Sequence, residues 1–261
     1  MSKDSLKVLS FNLRLDTDDN PQTWKERKEL AFKLIDELEP DLIGVQEALS
    51  SMLADIKSKY ADTYHIYAEF RSDKESKEAP AVLAKKERFD KLSASWFMNA
   101  TNPQERGLVS WDADLPRITN FMVLQDKADG VPFVFMNTHL DHAGTIARFE
   151  SSNLISNYIR DYKEQGLDVI LTGDFNAYPN APELEPLFKD PSLSNSYTLL
   201  KKKYQDNTLS IHNFTGETKG LPIDHIFVTD RFKIEDATIV RNKYDGNFPS
   251  DHYPILAKLT K

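Results

Sequence analysis

The chain has 261 residues, a length that suits one large domain or two small ones. It contains no cysteine, which excludes disulfides, thiolate metal sites and a cysteine nucleophile, and restricts any bound metal to oxygen or imidazole ligands. Lys and Arg total 33 against 41 Asp and Glu, and the net charge of −8 argues against a broad basic surface for tracking nucleic acid while allowing a local basic pocket.

Strand-like and helix-like segments alternate along the chain. Residues 6–15, LKVLSFNLRL, alternate apolar and polar side chains and read as a strand. Residues 24–38 place Leu30, Leu34, Ile35 and Leu38 on a helical stripe, which Pro40 ends. DLIGVQE (41–47) reads as a short buried strand, 50–59 as a helix and 64–70 as a strand. A polar loop follows at 71–80, then two strands around a charged turn in 81–98. Residues 99–116 lack periodicity and form a long loop, a feature that often carries function.

Residues 118–141 read as a hairpin turning at Ala128-Asp129-Gly130. A helix over 145–165 ends at Gly166, and DVILTGDFN (168–176) is a buried strand. A short helix at 181–188 follows. IDHIFVTD and KIEDATIV suggest another hairpin, and 252–260 closes the chain as a strand. No repeat, low-complexity tract or linker divides the sequence, so a single domain over 1–261 is expected. No apolar run reaches the length of a membrane span, and the first 15 residues lack a signal-like apolar stretch. The expectation is a cytoplasmic protein with no membrane partner.

Successive strand candidates share one feature: an apolar run that ends in, or carries late, charged or amide residues. The sets are Asn12 in SFNLR, Glu47 in GVQE, Asn137, His139 and Asp141 in FMNTHLD, Asp174 and Asn176 in LTGDFN, and Asp224 with His225 in PIDHIF. Ser250-Asp251-His252 forms a further set before the final strand. One such residue is easily a cap or turn residue. So many in succession point to a site built where strand ends converge. The residue types suit phosphoester hydrolysis. Carboxylates bind hard ions such as Mg²⁺ or Mn²⁺. A histidine paired with a carboxylate acts as a general base near neutral pH. Asparagine holds water or phosphoryl oxygen without adding repulsive charge.

Together SFNLR, VQE, NTHLDH, LTGDFN and SDHYPI resemble the endonuclease/exonuclease/phosphatase superfamily, over about residues 6–259. The resemblance implies a four-layered α/β sandwich, two packed and mainly antiparallel β-sheets flanked by helices. It also implies a divalent-metal-dependent phosphoester hydrolase using Mg²⁺ or Mn²⁺, as one or two ions. By match, Asn12 and Glu47 resemble the metal-site pair and Asp251 a second metal-linked carboxylate. His139 resembles the histidine that contacts the scissile phosphate. Asp174 and Asn176 resemble the residues that position the attacking water and stabilise the transition state. His252 resembles the general base and Asp224 the carboxylate that orients it. More narrowly, SWDADLPR (110–117) and NTHLDHAGTIAR (137–148) resemble a bacterial subgroup related to nocturnin-like and deadenylase proteins. That resemblance implies phosphate contact by Arg117, with His142 and Arg148 near the pocket as substrate-binding residues.

Structural readings compete at several positions. His225 follows Asp224 on a strand and so faces the other side. Asp141 shares a face with His139 only if that strand continues. His65 and His212 match nothing and read as surface or packing residues. Trp96, Phe97 and Trp111 are either core residues or pocket walls, and Lys201-Lys202-Lys203 reads as a solvated face. Four functions compete. A phosphatase on a small phosphorylated metabolite, such as a sugar phosphate or nucleotide, ranks first on the acidic charge balance and the subgroup motifs. A nuclease, either a 3′–5′ RNA exonuclease or a DNA endonuclease, is the alternative. A sphingomyelinase-like lipid activity and a non-catalytic binding module rank below both. Oligomeric state is not legible.

Overall fold

The computed structural model describes residues 5–17, 20–73 and 78–261. Its first sheet is built from β1 (Ser5–Asn12), β2 (Leu42–Leu49), β3 (Tyr64–Tyr67), β4 (Glu78–Lys85), β11 (Lys233–Ile239) and β12 (Ile255–Thr260), in the order β11-β12-β1-β2-β4-β3. Its second is built from β5 (Phe89–Met98), β6 (Ile118–Asp126), β7 (Pro132–His139), β8 (Asp168–Asp174), β9 (Leu193–Asn195) and β10 (Asp224–Thr229), in the order β5-β6-β7-β8-β10-β9. Only the β1–β2 and β7–β8 neighbours run parallel; the other described pairs are antiparallel. Helices α1 (Trp24–Leu38) and α2 (Ser50–Tyr60) cover the first sheet, and α3 (Thr145–Glu164) and α4 (Glu185–Phe188) the second. The expected four-layered sandwich is therefore present.

Strand alternation explains why the central strands read as nearly continuous apolar runs. Leu6 and Val8 of β1 enter the core between the sheets, while Leu9 and Phe11 face the helices. Phe133 and Phe135 of β7 likewise enter that core, while Val134 and Met136 meet α3. The inter-sheet face then changes character toward one end. Val8, Ser10 and Asn12 follow one another on β1, as do Leu42, Gly44 and Gln46 on β2. Phe135, Asn137 and His139 do so on β7, and Ile170, Thr172 and Asp174 on β8. On β1, β7 and β8 the apolar residue lies deep and the last polar one sits at the strand end, while Gln46 lies within β2. Between them a buried amide layer joins the sheets: Gln46 Nε2 donates to Asn137 Oδ1 at 2.6 Å, and Asn137 Nδ2 donates to the Val45 and Ala81 carbonyls. Gly44 makes room for this layer, because a Cβ there would lie 2.0 Å from Thr172 Oγ1 and 2.6 Å from Asn137 Oδ1.

Several boundaries differ from the sequence expectation. β1 stops at Asn12 rather than continuing to residue 15, because Arg14 takes a left-handed conformation (φ 57°) and its N–H is received by Asn12 Oδ1 at 2.9 Å. β4 starts at Glu78, inside the loop expected over 71–80, of which residues 74–77 lie outside the described residues. The hairpin expected from IDHIFVTD and KIEDATIV does not form. β8 and β9 occupy both edges of β10, and the chain crosses to the other sheet, where β11 pairs with β12. An additional helix, α5 (Tyr197–Tyr204), lies in a stretch the sequence reading left unassigned, where only Leu200 is fully buried.

Candidate active site

Asn12, Glu47, His139, Asp174, Asp224, Asp251 and His252 converge at the end of the sandwich where β1, β2, β7 and β8 terminate. All are buried. Asn12 Nδ2 donates to Glu47 Oε1 at 2.9 Å and to Asp174 Oδ2 at 2.8 Å, so one amide relieves the repulsion between two carboxylates from different sheets. Asp174 Oδ2 lies 3.8 Å from both His139 Nε2 and His252 Nε2. Antiparallel register sets Asp224 beside Asp174, and Asp224 Oδ2 receives the His252 Nδ1–H at 2.8 Å.

Glu47 arrives by an irregularity. Alternation from Gln46 would turn it toward the helices. A register shift between Val45 and Ala48 and a left-handed φ of 60° re-aim it into the site, where Oε2 also accepts the Leu15 N–H at 2.8 Å. Asn176 is left-handed as well (φ 48°); its N–H is received by Asp174 Oδ1 and its Nδ2 donates to the Leu140 carbonyl.

Glu47, His139, Asp174, Asn176, Asp251 and His252 border a cavity of about 280 Å³ whose wall also includes Arg14, Arg71, Glu78, Arg117, His142 and Asn213; Asn12 and Asp224 do not line it. Burial opposes the charge on His252, but Asp224, Asp251 and Asp174 outweigh it and raise the imidazole to about 10. Burial pushes the Asp251 carboxyl up, and the nearby charge of Glu47 adds to this against His252 and Arg14. Both effects reflect an excess of buried carboxylate. A divalent cation fits such a place. Ligand atoms of Glu47, Asp174 and His252 lie within 4.8 Å of one another, so this buried triad could hold a metal ion.

Not every residue singled out in the sequence reaches the cavity wall. Arg148 is buried beside it, donating to the Asp141 carbonyl at 2.9 Å and to Glu183 at 3.0 Å. Asp141 organises the loop: its carboxylate receives the N–H groups of Asp114, Leu115, Ala143 and Gly144, and Arg117 lies 3.4 Å away. Asn137 lies deeper, in the amide layer. His225 turns away into a cluster with Phe175, Phe188 and Phe227. His212 is buried against Phe248 and Tyr253, and Phe97 stacks on Tyr158; neither lines the cavity. Lys203 is held by Asp236. Arg14, Arg71, Glu78 and Asn213 were not foreseen. Arg71 and Glu78 flank the polar loop, which marked the segment but not the two residues. No helix among the described residues is long and apolar enough to cross a membrane.

Fold and pocket define a class: a two-sheet α/β sandwich with an acidic, amide and imidazole cluster sunk between its sheets. The Endonuclease/Exonuclease/phosphatase family model matches residues 9–252, and the chain belongs to that family of phosphoester hydrolases. No curated protein sequence matches the chain significantly. Among solved structures, it is similar to a mannosyl-6-phosphatase from Bacteroides thetaiotaomicron, with 28% identity and a TM-score of 0.90 over 98% of this chain and 100% of that one. A second Bacteroides thetaiotaomicron protein of the family is 28% identical, with a TM-score of 0.89 over 98% of this chain and 94% of that one. The human nocturnin catalytic domain shares the fold at 18% identity, with a TM-score of 0.76 over 98% of this chain and 94% of that one.

Proposed function

We propose that this protein, acting as one catalytic domain, is a Mg²⁺- or Mn²⁺-dependent phosphatase for a small phosphorylated metabolite, a sugar phosphate being the first candidate. The observation that carries this reading is the meeting of Glu47, Asp174 and His252 beside a cavity of about 280 Å³ that arginines border. That space suits a phosphoryl group with a compact leaving group. Similarity to a mannosyl-6-phosphatase across nearly the whole of both chains favours the sugar phosphate.

In this reading Glu47 and Asp251 would hold the ion, and Asn12 keeps Glu47 and Asp174 together by donating to both. When bound, the ion would neutralise charge on the phosphoryl oxygen and offset the carboxylate charge that otherwise keeps His252 protonated, leaving its Nε2 free to act as a base. Asp174, with Asn176 beside it, orients the attacking water. His252, held by Asp224, takes the water's proton on Nε2. His139 and Arg117 contact phosphoryl oxygens, Arg117 through the planar donor face suited to them. His142 borders the entrance with its side chain half exposed and assists substrate binding. Arg148 supports the same loop through the Asp141 carbonyl.

Purified protein with Mg²⁺ or Mn²⁺ should release phosphate from sugar phosphates or nucleotides and leave RNA oligomers and abasic DNA intact. Cleavage of the oligomers without turnover of any monoester would overturn the proposal in favour of a nuclease.

A further inference from the structure

A fully buried cation takes no part in the steps above. Arg27 lies on α1 and is 0% exposed. Among the described residues its hydrogen-bond partners are carbonyls, none of them a carboxylate. Nη1 donates to Leu13 at 2.6 Å and to Pro249 at 3.0 Å, Nη2 to Arg14 at 2.9 Å and Nε to Gln22 at 3.1 Å. The ring centroids of Trp24 and Phe214 each lie 5.8 Å from its guanidinium carbon. Leu13 and Arg14 follow β1 and Pro249 precedes β12, so one side chain ties together segments from opposite ends of the chain.

Packing alone does not call for a charge here, since burying a cation is costly and an apolar side chain would fill the same space. Burial pushes the guanidinium below its usual value, against the nearby charges of Asp251 and Asp16. What the guanidinium offers is a rigid plane of donors that reaches several carbonyls at once. Two of those carbonyls stand next to carboxylates of the proposed ion site. The Arg14 C=O and the Leu15 N–H belong to one planar trans peptide and point opposite ways. The C=O accepts from Arg27, and the N–H donates to Glu47 Oε2 at 2.8 Å. Pro249 is followed by Ser250, whose Oγ donates to the Asn12 carbonyl at 2.7 Å, and then by Asp251. Arg14 is left-handed (φ 57°), and so are Asn213 of the cavity wall (φ 49°) and Phe214 (φ 60°). Such conformations cost energy and persist where their surroundings over-determine them.

Resting on the metal-dependent part of the reading above, we infer that Arg27 is a positioning residue for the ion site: its guanidinium locks the turn at 13–15 against the segment 249–251 and so holds Glu47 and Asp251 at a separation that one divalent cation spans. Arg27 touches neither ion nor substrate. It acts on Glu47 through the Arg14–Leu15 peptide and on Asp251 through the backbone two residues before it. Without the clamp, mutual repulsion would drive the two carboxylates apart in the metal-free protein.

The test uses Arg27→Lys and Arg27→Gln in the full chain, with Phe89→Leu as a comparison from the core between the sheets. Mg²⁺ binding to the metal-free protein is read by calorimetry, folding by thermal melts and the Arg27 side chain by ¹H–¹⁵N NMR. Both Arg27 variants should bind Mg²⁺ about tenfold or more weakly, the loss typical when a residue that orients metal ligands is removed. Lysine keeps the charge but not the planar fork, so it should rescue little of this. Phe89→Leu should melt earlier yet keep Mg²⁺ affinity within about twofold, which separates lost stability from lost positioning. A folded Arg27→Lys protein with affinity within about twofold of the parent, or an equal loss in Phe89→Leu, would overturn the inference. If neither Arg27 variant folds, the parent decides. Its Arg27 Nη–H signals should be resolved, slow to exchange and shifted by Mg²⁺; signals averaged by rotation, or unmoved by the ion, would overturn the inference. A parent that binds no Mg²⁺ removes the metal reading and this inference together. A parent that passes these tests yet cuts oligomers and no monoester loses the phosphatase reading and keeps Arg27 in its role.

Discussion

Replacing Asp224 with Asn removes one charge and almost no volume. Asp224 Oδ2 receives the His252 Nδ1–H at 2.8 Å, and both residues are buried. The other oxygen, Oδ1, has no hydrogen-bond partner among the described residues, so this carboxylate is committed to His252. It is also the leading electrostatic reason that the imidazole is raised to about 10 despite burial. An asparagine can offer its own N–H to Nδ1, which moves the ring proton to Nε2 and blocks the atom proposed to take the water's proton. A buried charge-assisted bond combined with a reversed tautomer corresponds to roughly 3 to 5 kcal/mol in the transition state, or about 10²- to 10⁴-fold in kcat. The assay is steady-state release of phosphate from a monoester with Mg²⁺, alongside a thermal melt showing that the variant is folded. A folded Asp224→Asn enzyme with kcat within about threefold of the parent would refute the His252–Asp224 assignment.

Other outcomes follow from the same geometry. Gly44→Ala should destabilise by roughly 1 to 3 kcal/mol or more, because its methyl would press on Thr172 and Asn137 in the layer joining the sheets; an unchanged denaturation midpoint would contradict that close approach. Removing metal with EDTA should abolish turnover reversibly, and restoring Mg²⁺ at about a hundredfold over its Kd should raise stability by about 2.7 kcal/mol; a melting temperature unmoved by metal argues against the site. Burial lowers His225 to about 4, outweighing its bond to the Ala177 carbonyl. Between about pH 6.5 and 4 the unfolded chain takes up a proton that the folded one refuses. Stability should therefore drop as the pH is lowered through that window, by on the order of 3 kcal/mol from this residue, and level off below it. An NMR titration that finds the His225 ring protonating near its ordinary value would break the argument.

Much of the site was legible because polar residues at the ends of apolar strands are an anomaly that sequence displays directly. Asn12, His139, Asp174 and Asp224 needed only alternation to share the inter-sheet face. The same alternation turned His225 outward, where it packs on Phe175 and Phe227. Glu47 was found by motif, but its path into the site was not, since a left-handed residue at a bulge interrupts the period that the reading relied on. Asn137 looked like a site residue and is a link between sheets, because one step of depth along a strand separates the amide layer from the pocket. Arg71 and Glu78 gave no signal, as an ion pair across a polar loop resembles any other charged loop until both ends are placed.

Alternating hydrophobicity, the absence of cysteine and the ordered polar clusters were enough by themselves to determine a single domain of strands and helices with oxygen and imidazole chemistry at its strand ends, because each depends only on neighbours within a few residues; the two-sheet sandwich was implied by the family resemblance of the motifs. Which sheet each strand joins, how β10 and β11 part, and which carboxylates face cations rather than one another were settled only in three dimensions. Those outcomes depend on pairings between residues far apart in the chain, such as Asn12 with Asp174 and His139 with Glu78, and on whether burial leaves each charge a partner.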